Sequence, residues 1–373
     1  MPRISSAAMV RELIAVTALT IGLAQPATAQ VVISSAPSCA ECRVRLTTVA
    51  TLGSLTGVDA LGPTVSRVAA DPLGRYWVFS PGRMPLVFSS TGEFIREVGR
   101  RGRGPGEMMN PHALWALPGD SVGVFDVGGT VSVFDSTLQF RRSFKVPVLS
   151  MSAATVLEWP HRVIVNGQVG GGAGLPLHEV DASETPRITS SFGPDDAAQR
   201  PNPQMSPFHH ISAATNAGYW TSAAVSYDIT RWNFRNTRMY TLQRRPDWFS
   251  GPSDGLSGGP NKPPSPVLMG VAEDAEGRLC AVARVPSPTY KAAYDNTRLP
   301  NRGKAELRSD RIDTELLYNT AIEIIDPRAQ QLVASSTVKG YALNVLPGCR
   351  LALQQLDDTG VLTVRILQLD IFR

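Results

Sequence analysis

Residues 65–99 read VSRVAADPLGRYWVFSPGRMPLVFSSTGEFIREVG. Four short runs stand in it: SRVAAD (66–71), RYWVFS (75–80), PLVFSS (85–90) and EFIREVG (93–99). Pro72-Leu73-Gly74 separates the first two, and Thr91-Gly92 the last two. Short runs rich in aromatic and β-branched residues, bounded by Gly, Pro, Asp and Ser, read as strands joined by turns. The stretch therefore predicts a four-stranded unit.

The unit recurs. HALWALPGD (112–120), SVGVFD (121–126), TVSVFD (130–135) and LQFRRSFKV (138–146) repeat it in order. Weaker copies follow over 154–193, 211–243, 267–338 and 341–371. The fourth strands end near Leu52, Val98, Phe144, Phe192, Leu242 and Val338. Most steps between them match the roughly 40–50 residues of a four-stranded propeller blade. The long step from Leu242 to Val338 carries two insertions. Residues 250–266 (SGPSDGLSGGPNKPPSP) read as a loop, and residues 286–319 are charged and partly helical in pattern. The last unit holds only three strands. At the other end Arg43 to Gly53 (RVRLTTVATLG) reads as a lone fourth strand. Joining the two completes a sixth blade and removes the open sheet edges. The expectation is an all-β fold: one six-bladed β-propeller of four-stranded blades over residues 43–373, its N-terminal strand closing the last blade. The competing architecture is a pair of β-sandwiches.

Composition agrees. The chain of 373 residues is 43% hydrophobic and only 18% charged, with 32 Gly and 29 Pro, where about a quarter charged is usual. Ahead of the repeats lies a leader. Arg3 and Arg11 precede the apolar run Leu13–Ala24, and Ala27-Thr28-Ala29 gives a small-x-small cleavage pattern. The run is short of the roughly twenty residues that span a bilayer. Residues 1–29 are thus expected to be a cleaved signal peptide, and the mature protein periplasmic or secreted. Net charge is +4. The basic residues are scattered, without the basic face and interleaved aromatics of a nucleic-acid binder.

Export gives the four cysteines a compartment in which disulfides persist. Cys39-Ala-Glu-Cys42 lies in the tail 30–42. Its spacing fits a local disulfide, a redox pair or half a metal site, but no second Cys-x-x-Cys exists. Cys280 and Cys349 each follow a turn, and they would bond only with Cα atoms within about 7 Å.

Residues 99–111, GRRGRGPGEMMNP, resemble the linker of NHL-repeat propellers, a group close to the TolB-like six-bladed propellers. Asp71-Pro72-Leu73-Gly74-Arg75 and Phe125-Asp126 resemble strand-turn pieces of the same repeats. The resemblance is sharp over about fifty residues and faint beyond. It implies a scaffold that binds peptides, proteins or glycans. A minority of such propellers are enzymes, among them a zinc-dependent lyase acting on C-terminal peptides. Read on its own physics, the glycine-rich run is a tight crossover. It lacks the Gly-Lys-Ser/Thr of a phosphate loop.

In propellers, ligands meet the starts of the innermost strands. The polar residues falling there are Arg67, His112, His209 and His210, with Tyr341 and Asn344 in the last unit. Adjacent His209 and His210 point to opposite faces of an extended segment, so only one aims inward. Two readings follow. In the first, Arg67, His112, His209, Tyr341 and Asn344 bind a peptide, protein or glycan without any cofactor. In the second, His112 with His209 or His210 holds Zn²⁺ for a lyase or hydrolase. No Gly-x-Ser-x-Gly is present. The carboxylates Asp195-Asp196, Asp274/Glu276 and Asp357-Asp358 all fall in turn contexts. Within 286–319, Ile312, Leu316 and Leu317 suit a short amphipathic helix, and Tyr290, Tyr294 and Arg298 suit a partner surface.

Overall fold

The computed structural model describes residues 29–54, 57–148, 150–169, 175–193, 209–215, 217–249, 258–294, 314–356 and 361–373. Its strands build six blades of four antiparallel strands each, five of them in sequence order and the sixth joining a strand from the start of the chain to the last three. Blade 1 is Arg67–Ala70, Tyr76–Phe79, Leu86–Phe88 and Phe94–Glu97. Blade 2 is Pro111–Ala116, Val122–Asp126, Thr130–Phe134 and Phe140–Lys145. Blade 3 is Ser150–Glu158, Arg162–Gln168, Leu177–Asp181 and Arg187–Phe192. Blade 4 is His209–Ile211, Tyr219–Ala223, Asp228–Trp232 and Arg238–Gln243. Blade 5 is Val267–Glu273, Leu279–Pro286, Tyr318–Asp326 and Gln331–Lys339. Blade 6 is Tyr341–Leu346, Arg350–Leu356, Leu362–Phe372 and, from the other end of the chain, Arg43–Leu52. The protein is thus a six-bladed β-propeller closed by its N-terminal strand.

The sequence pattern explains the burial. Second strands such as Tyr76–Phe79 and Val122–Asp126 are buried throughout, because both faces meet neighbouring blades. Fourth strands such as Phe94–Glu97 form the rim and are largely exposed. The turns rest on one device. Asp71 Oδ1 accepts from the amides of Leu73 and Arg75, while its Oδ2 accepts from Arg75 Nε (2.6 Å) and buried Trp77 Nε1. Asp274 repeats it: its carboxylate accepts from the amides of Glu276 and Arg278 and from Arg278 Nε at 2.7 Å. Asp274 and Glu276 are therefore turn residues, as their context implies. Asp195-Asp196 and Asp357-Asp358 lie outside the described residues.

The 99–111 run forms the crossover into blade 2. Arg100–Arg101 pairs with Glu107–Met108 in parallel, and Glu107 Oε2 accepts from the Gly104 amide at 2.7 Å. Gly102 has φ 156°, a backbone conformation that residues with a Cβ rarely adopt, so glycine is favoured there. The amides of Met109 and Asn110 then donate to the Asp126 carboxylate, fixing where the inner strand of blade 2 begins.

Residues 30–42 do more than lead into the propeller. Ala29–Val32 adds a fifth strand to blade 4, parallel to Arg238–Gln243. The Ser38 amide donates to Leu332 O on the rim of blade 5, and the chain then enters blade 6. Residues 29–52 so form a belt over three rims. Arg244 clamps it: Nη1 donates to Ile33 O and Ser34 O, while Nε and Nη2 donate to Glu323 of blade 5 at 2.8 and 2.5 Å. Tyr227 Oη also donates to Glu323, at 2.7 Å. Cys39 bonds Cys42 (Cα–Cα 5.3 Å), and Cys280 of blade 5 bonds Cys349 of blade 6 (5.6 Å).

Both insertions interrupt blade 5 or its approach. Of 250–266, residues 258–266 are described and join blade 4 to blade 5. The 286–319 excursion leaves at Pro286 and returns at Tyr318, which are paired. It carries a 3₁₀ turn at Tyr290–Tyr294 and a helix at Thr314–Leu317. Ala293, Leu317 and Tyr318 bury together there, with Tyr290, Tyr294, Leu316 and Tyr341 against them. Arg298 and Ile312 lie outside the described residues, as does the leader 1–28.

The Arg244–Glu323 pair yields a test. Glu323→Ala strands a buried guanidinium and is expected to cost about 3–5 kcal/mol, whereas Arg244→Met with Glu323→Leu costs far less. Urea unfolding of the three proteins reads the difference.

Candidate functional site

The six inner strands enclose a channel on the ring axis. Its cavity, about 390 Å³, is lined from all six blades. Most of the lining is small or apolar, including Ala69, Ala153, Ala154, Ala213 and Gly270. Six strands converging on one axis leave little room for longer side chains, so the exceptions identify the site. They are Arg67 and His210 near one end and Glu273 at the other.

Arg67 opens the inner strand of blade 1. Burial pushes its guanidinium down to about 10, so the surroundings disfavour the cation. His210 belongs to the inner strand of blade 4. Its Nε2 lies 2.9 Å from Leu268 O, a group that can only accept, so Nε2 carries the proton. Burial, reinforced by the positive charge of Arg67, holds His210 down to about 3. It is a neutral imidazole at any physiological pH. Its ring packs on Gly270 of blade 5, where an added Cβ would stand 3.4 Å from His210 Cβ and Cγ.

Arg284 adds a second cation to this end. It pairs with Val267 at the end of the second strand of blade 5. Its Nε donates to Ala342 O at 2.7 Å, and its guanidinium stands 3.7 Å from the centre of the Tyr341 ring. Burial lowers its pKa too, and its charge also bears on His210. At the far end Glu273 Oε2 accepts from Trp220 Nε1 (2.9 Å) and Arg231 Nη1 (3.3 Å), and Arg231 lies over the Trp220 ring. Gly270 is three residues from Glu273, roughly 10 Å along a strand. The channel is therefore cationic at the end where the blade 5 excursion leaves, and its carboxylate is engaged at the other.

The residues singled out in the sequence separate into groups. Arg67, His210 and Asn344 line the cavity. Asn344 is held by backbone: its Oδ1 accepts from the Val68 amide (3.0 Å) and its Nδ2 donates to Val68 O (2.8 Å). This ties blade 6 to blade 1. Asn166 links blades 3 and 4 similarly, accepting from the His209 amide at 3.2 Å and donating to Pro176 O. His209 itself is buried and His210 faces the channel, the alternation that extended backbone requires. Tyr341 sits behind the lining, under Arg284 and against Tyr318. His112 is edge-on to Phe125, with Nδ1 3.2 Å from Asn110 O, and is not among the lining residues.

His112 and the blade 4 histidines are thus not gathered around one point. Among the described residues no three His, Cys, Asp or Glu side chains come together in a way that would hold a metal ion. His178 spends both ring nitrogens on Ser191 Oγ and Gly167 O. Sequence reasoning missed Arg284. Its signal was a lone charged residue in an otherwise apolar run, LCAVARVP, all but two of whose residues are buried.

Comparison with known proteins agrees on architecture. Residues 73–159 match a family model described as a 6-bladed beta-propeller. No curated protein sequence matches the chain. Among solved structures, a Bacteroides fragilis protein described as exported superposes with TM-score 0.57 at 10% identity, covering 93% of this chain and 99% of its own. A catalytically inactive virginiamycin B lyase of Staphylococcus aureus, solved with quinupristin, reaches TM-score 0.45 at 10% identity, covering 88% of this chain and 100% of its own. No helix among the described residues is long and apolar enough to cross a membrane.

Two outcomes are expected. Asn344→Leu leaves the amide and carbonyl of buried Val68 unsatisfied, at about 1–3 kcal/mol for each group, and denaturant unfolding should show the loss. For His210, the folded pKa lies below the unfolded one. The unfolded chain therefore binds the extra proton, and stability falls as pH drops from about 6.5 toward 3. His210→Gln keeps a donor for Leu268 O and removes that proton, so its melting temperature should decline less between pH 6.5 and 4 than that of the parent.

Proposed function

We propose that this protein is an exported binding propeller, which takes a peptide, protein or glycan group into the mouth of its central channel. The observation that carries the reading is the axial cavity, built from all six blades, with Arg67 and His210 toward one mouth and Glu273 toward the other. The second and third strands of blade 5 meet at this same end, at the paired residues Pro286 and Tyr318. Tyr290 and Tyr294 pack half-buried beside it, over buried Tyr318, and supply rings that a ligand can lie on. Kinship with NHL-repeat and TolB-like propellers fits the 99–111 crossover and the repeated Asp-x-x-Gly-Arg turns. Export fits the leader pattern of residues 1–29 and the two disulfides. The zinc-dependent alternative is weaker on electrostatic grounds, because His210 lies among cations and donates through Nε2, which leaves a divalent ion an unfavourable seat.

The test is a peptide and glycan array probed with the mature protein and with Ala154→Trp, which fills the channel from blade 3. A ligand bound by the parent and lost by at least tenfold in the filled variant, with unchanged circular dichroism, supports the reading. Equal binding by the two proteins overturns it.

A further inference from the structure

We propose that Cys39–Cys42 is a redox-active pair: a thiol–disulfide exchange site on the outer rim, which oxidises the dithiol of a substrate. It is separate from the channel, just ahead of the outermost strand of blade 6, Arg43–Leu52. The second disulfide of the molecule shows what a purely structural bridge looks like here. Cys280–Cys349 joins residues 69 positions apart and lies in the core between blades 5 and 6, 1% and 0% exposed, among Val282, Ile324, Leu351 and Leu367. A thiol reaches those sulfurs only when the two blades part. Cys39–Cys42 joins residues three positions apart, and its first cysteine is only half-buried. A bridge that closes so short a loop restrains the unfolded chain far less than one spanning 69 positions, and this one ties no two blades together. The fold gains little from it, while an incoming thiol can reach it.

The pair is also built to close again. Exchange is reversible only where the two thiols stay together once the bridge is open, and backbone contacts on both sides hold them here. Before the pair, the Ser38 amide donates to Leu332 O of blade 5 at 2.7 Å. After it, Arg43 enters the sheet opposite Phe372. Between these anchors the Cys42 amide donates to Cys39 O at 3.3 Å, a turn that sets the two Cα atoms 5.3 Å apart. Arg43 Nη1 donates to Ala40 O (2.7 Å) and Cys42 O (2.9 Å), so a cation is fastened to the loop. A cation beside a cysteine favours its thiolate, the form in which it leaves. Burial assigns the roles: Cys39 is the sulfur attacked from outside, and Cys42, 7% exposed, is the leaving group. The substrate's first thiolate bonds Cys39 Sγ as the Cys39–Cys42 bond breaks. Its second thiolate then attacks the substrate's own sulfur in that mixed disulfide and frees Cys39. Two electrons and two protons pass to the pair, and the substrate leaves as a disulfide.

The experiment titrates the mature protein, both bridges intact, with dithiothreitol under native conditions. Free thiols are trapped with an alkylating reagent and located by peptide mass spectrometry. Cys39 and Cys42 should be labelled together at dithiol concentrations at least tenfold below those that open Cys280–Cys349, with circular dichroism unchanged. A reduced peptide carrying a Cys-x-x-Cys dithiol is then mixed with the oxidised protein and should be oxidised to about one equivalent per chain. Cys39→Ser combined with Cys42→Ser should abolish that oxidation and keep the circular dichroism of the parent. The two bridges opening together, or Cys39–Cys42 resisting the dithiol until the chain unfolds, overturns the exchange site. So does a peptide that the parent leaves reduced, or that the parent and the double variant oxidise equally.

Discussion

Everything in this molecule depends on one seam, where the two ends of the chain meet in a single sheet. Arg43–Leu52 pairs with Leu362–Phe372 along nearly its whole length, from Arg43 opposite Phe372 to Leu52 opposite Val364. The contact is more than edge pairing. Ala50 and Leu52 enter a core shared by blade 6 (Leu343, Val364, Ile366) and blade 1 (Val68, Tyr76, Phe88). Asn344 crosses the same seam to Val68, and Arg350 Nη1 donates to Tyr76 Oη at 3.1 Å. A propeller without this closure would expose two sheet edges and split the channel lining. The site therefore exists only because the ring is shut, and blade 1, which supplies Arg67, is positioned across that joint.

The channel follows from the same convergence. Inner strands approach the axis so closely that small and apolar residues make up most of the lining, and the long charged side chains that remain occur near the ends. Buried charge is costly unless paired. At one end Glu273 is satisfied by Arg231 and Trp220, and at the other burial keeps His210 neutral beside Arg67. The channel built this way has polarity along its axis, with Arg67 and His210 toward one end and Glu273 toward the other.

The strand repeat was legible because turns and apolar runs are local properties, and the missing fourth strand of the last unit made closure legible as well. His210 and His209 were separable by alternation alone. The function of Asn344 was not legible: an amide at the start of an inner strand looks the same whether it meets a ligand or the Val68 backbone. Arg284 was hidden for a related reason, since it lies on a second strand and its contact is with the backbone of the next blade, at Ala342 O. The segment 30–42 read as a tail because Ala29–Val32 is too short to announce itself. Its strand exists through pairing with Arg238–Gln243 and through Arg244, contacts more than two hundred positions away.

The belt of residues 29–52 sets an order of events. These residues leave the ribosome before any blade exists, yet their partners are Gln243, Leu332, Glu323 (through Arg244) and finally Phe372. They must wait, extended and unpaired, until nearly the entire chain is present. Pairings of such long sequence separation form slowly, so the native ring cannot assemble from its N-terminus onward as multidomain chains commonly do. A chain whose first strands are completed last stays open during synthesis.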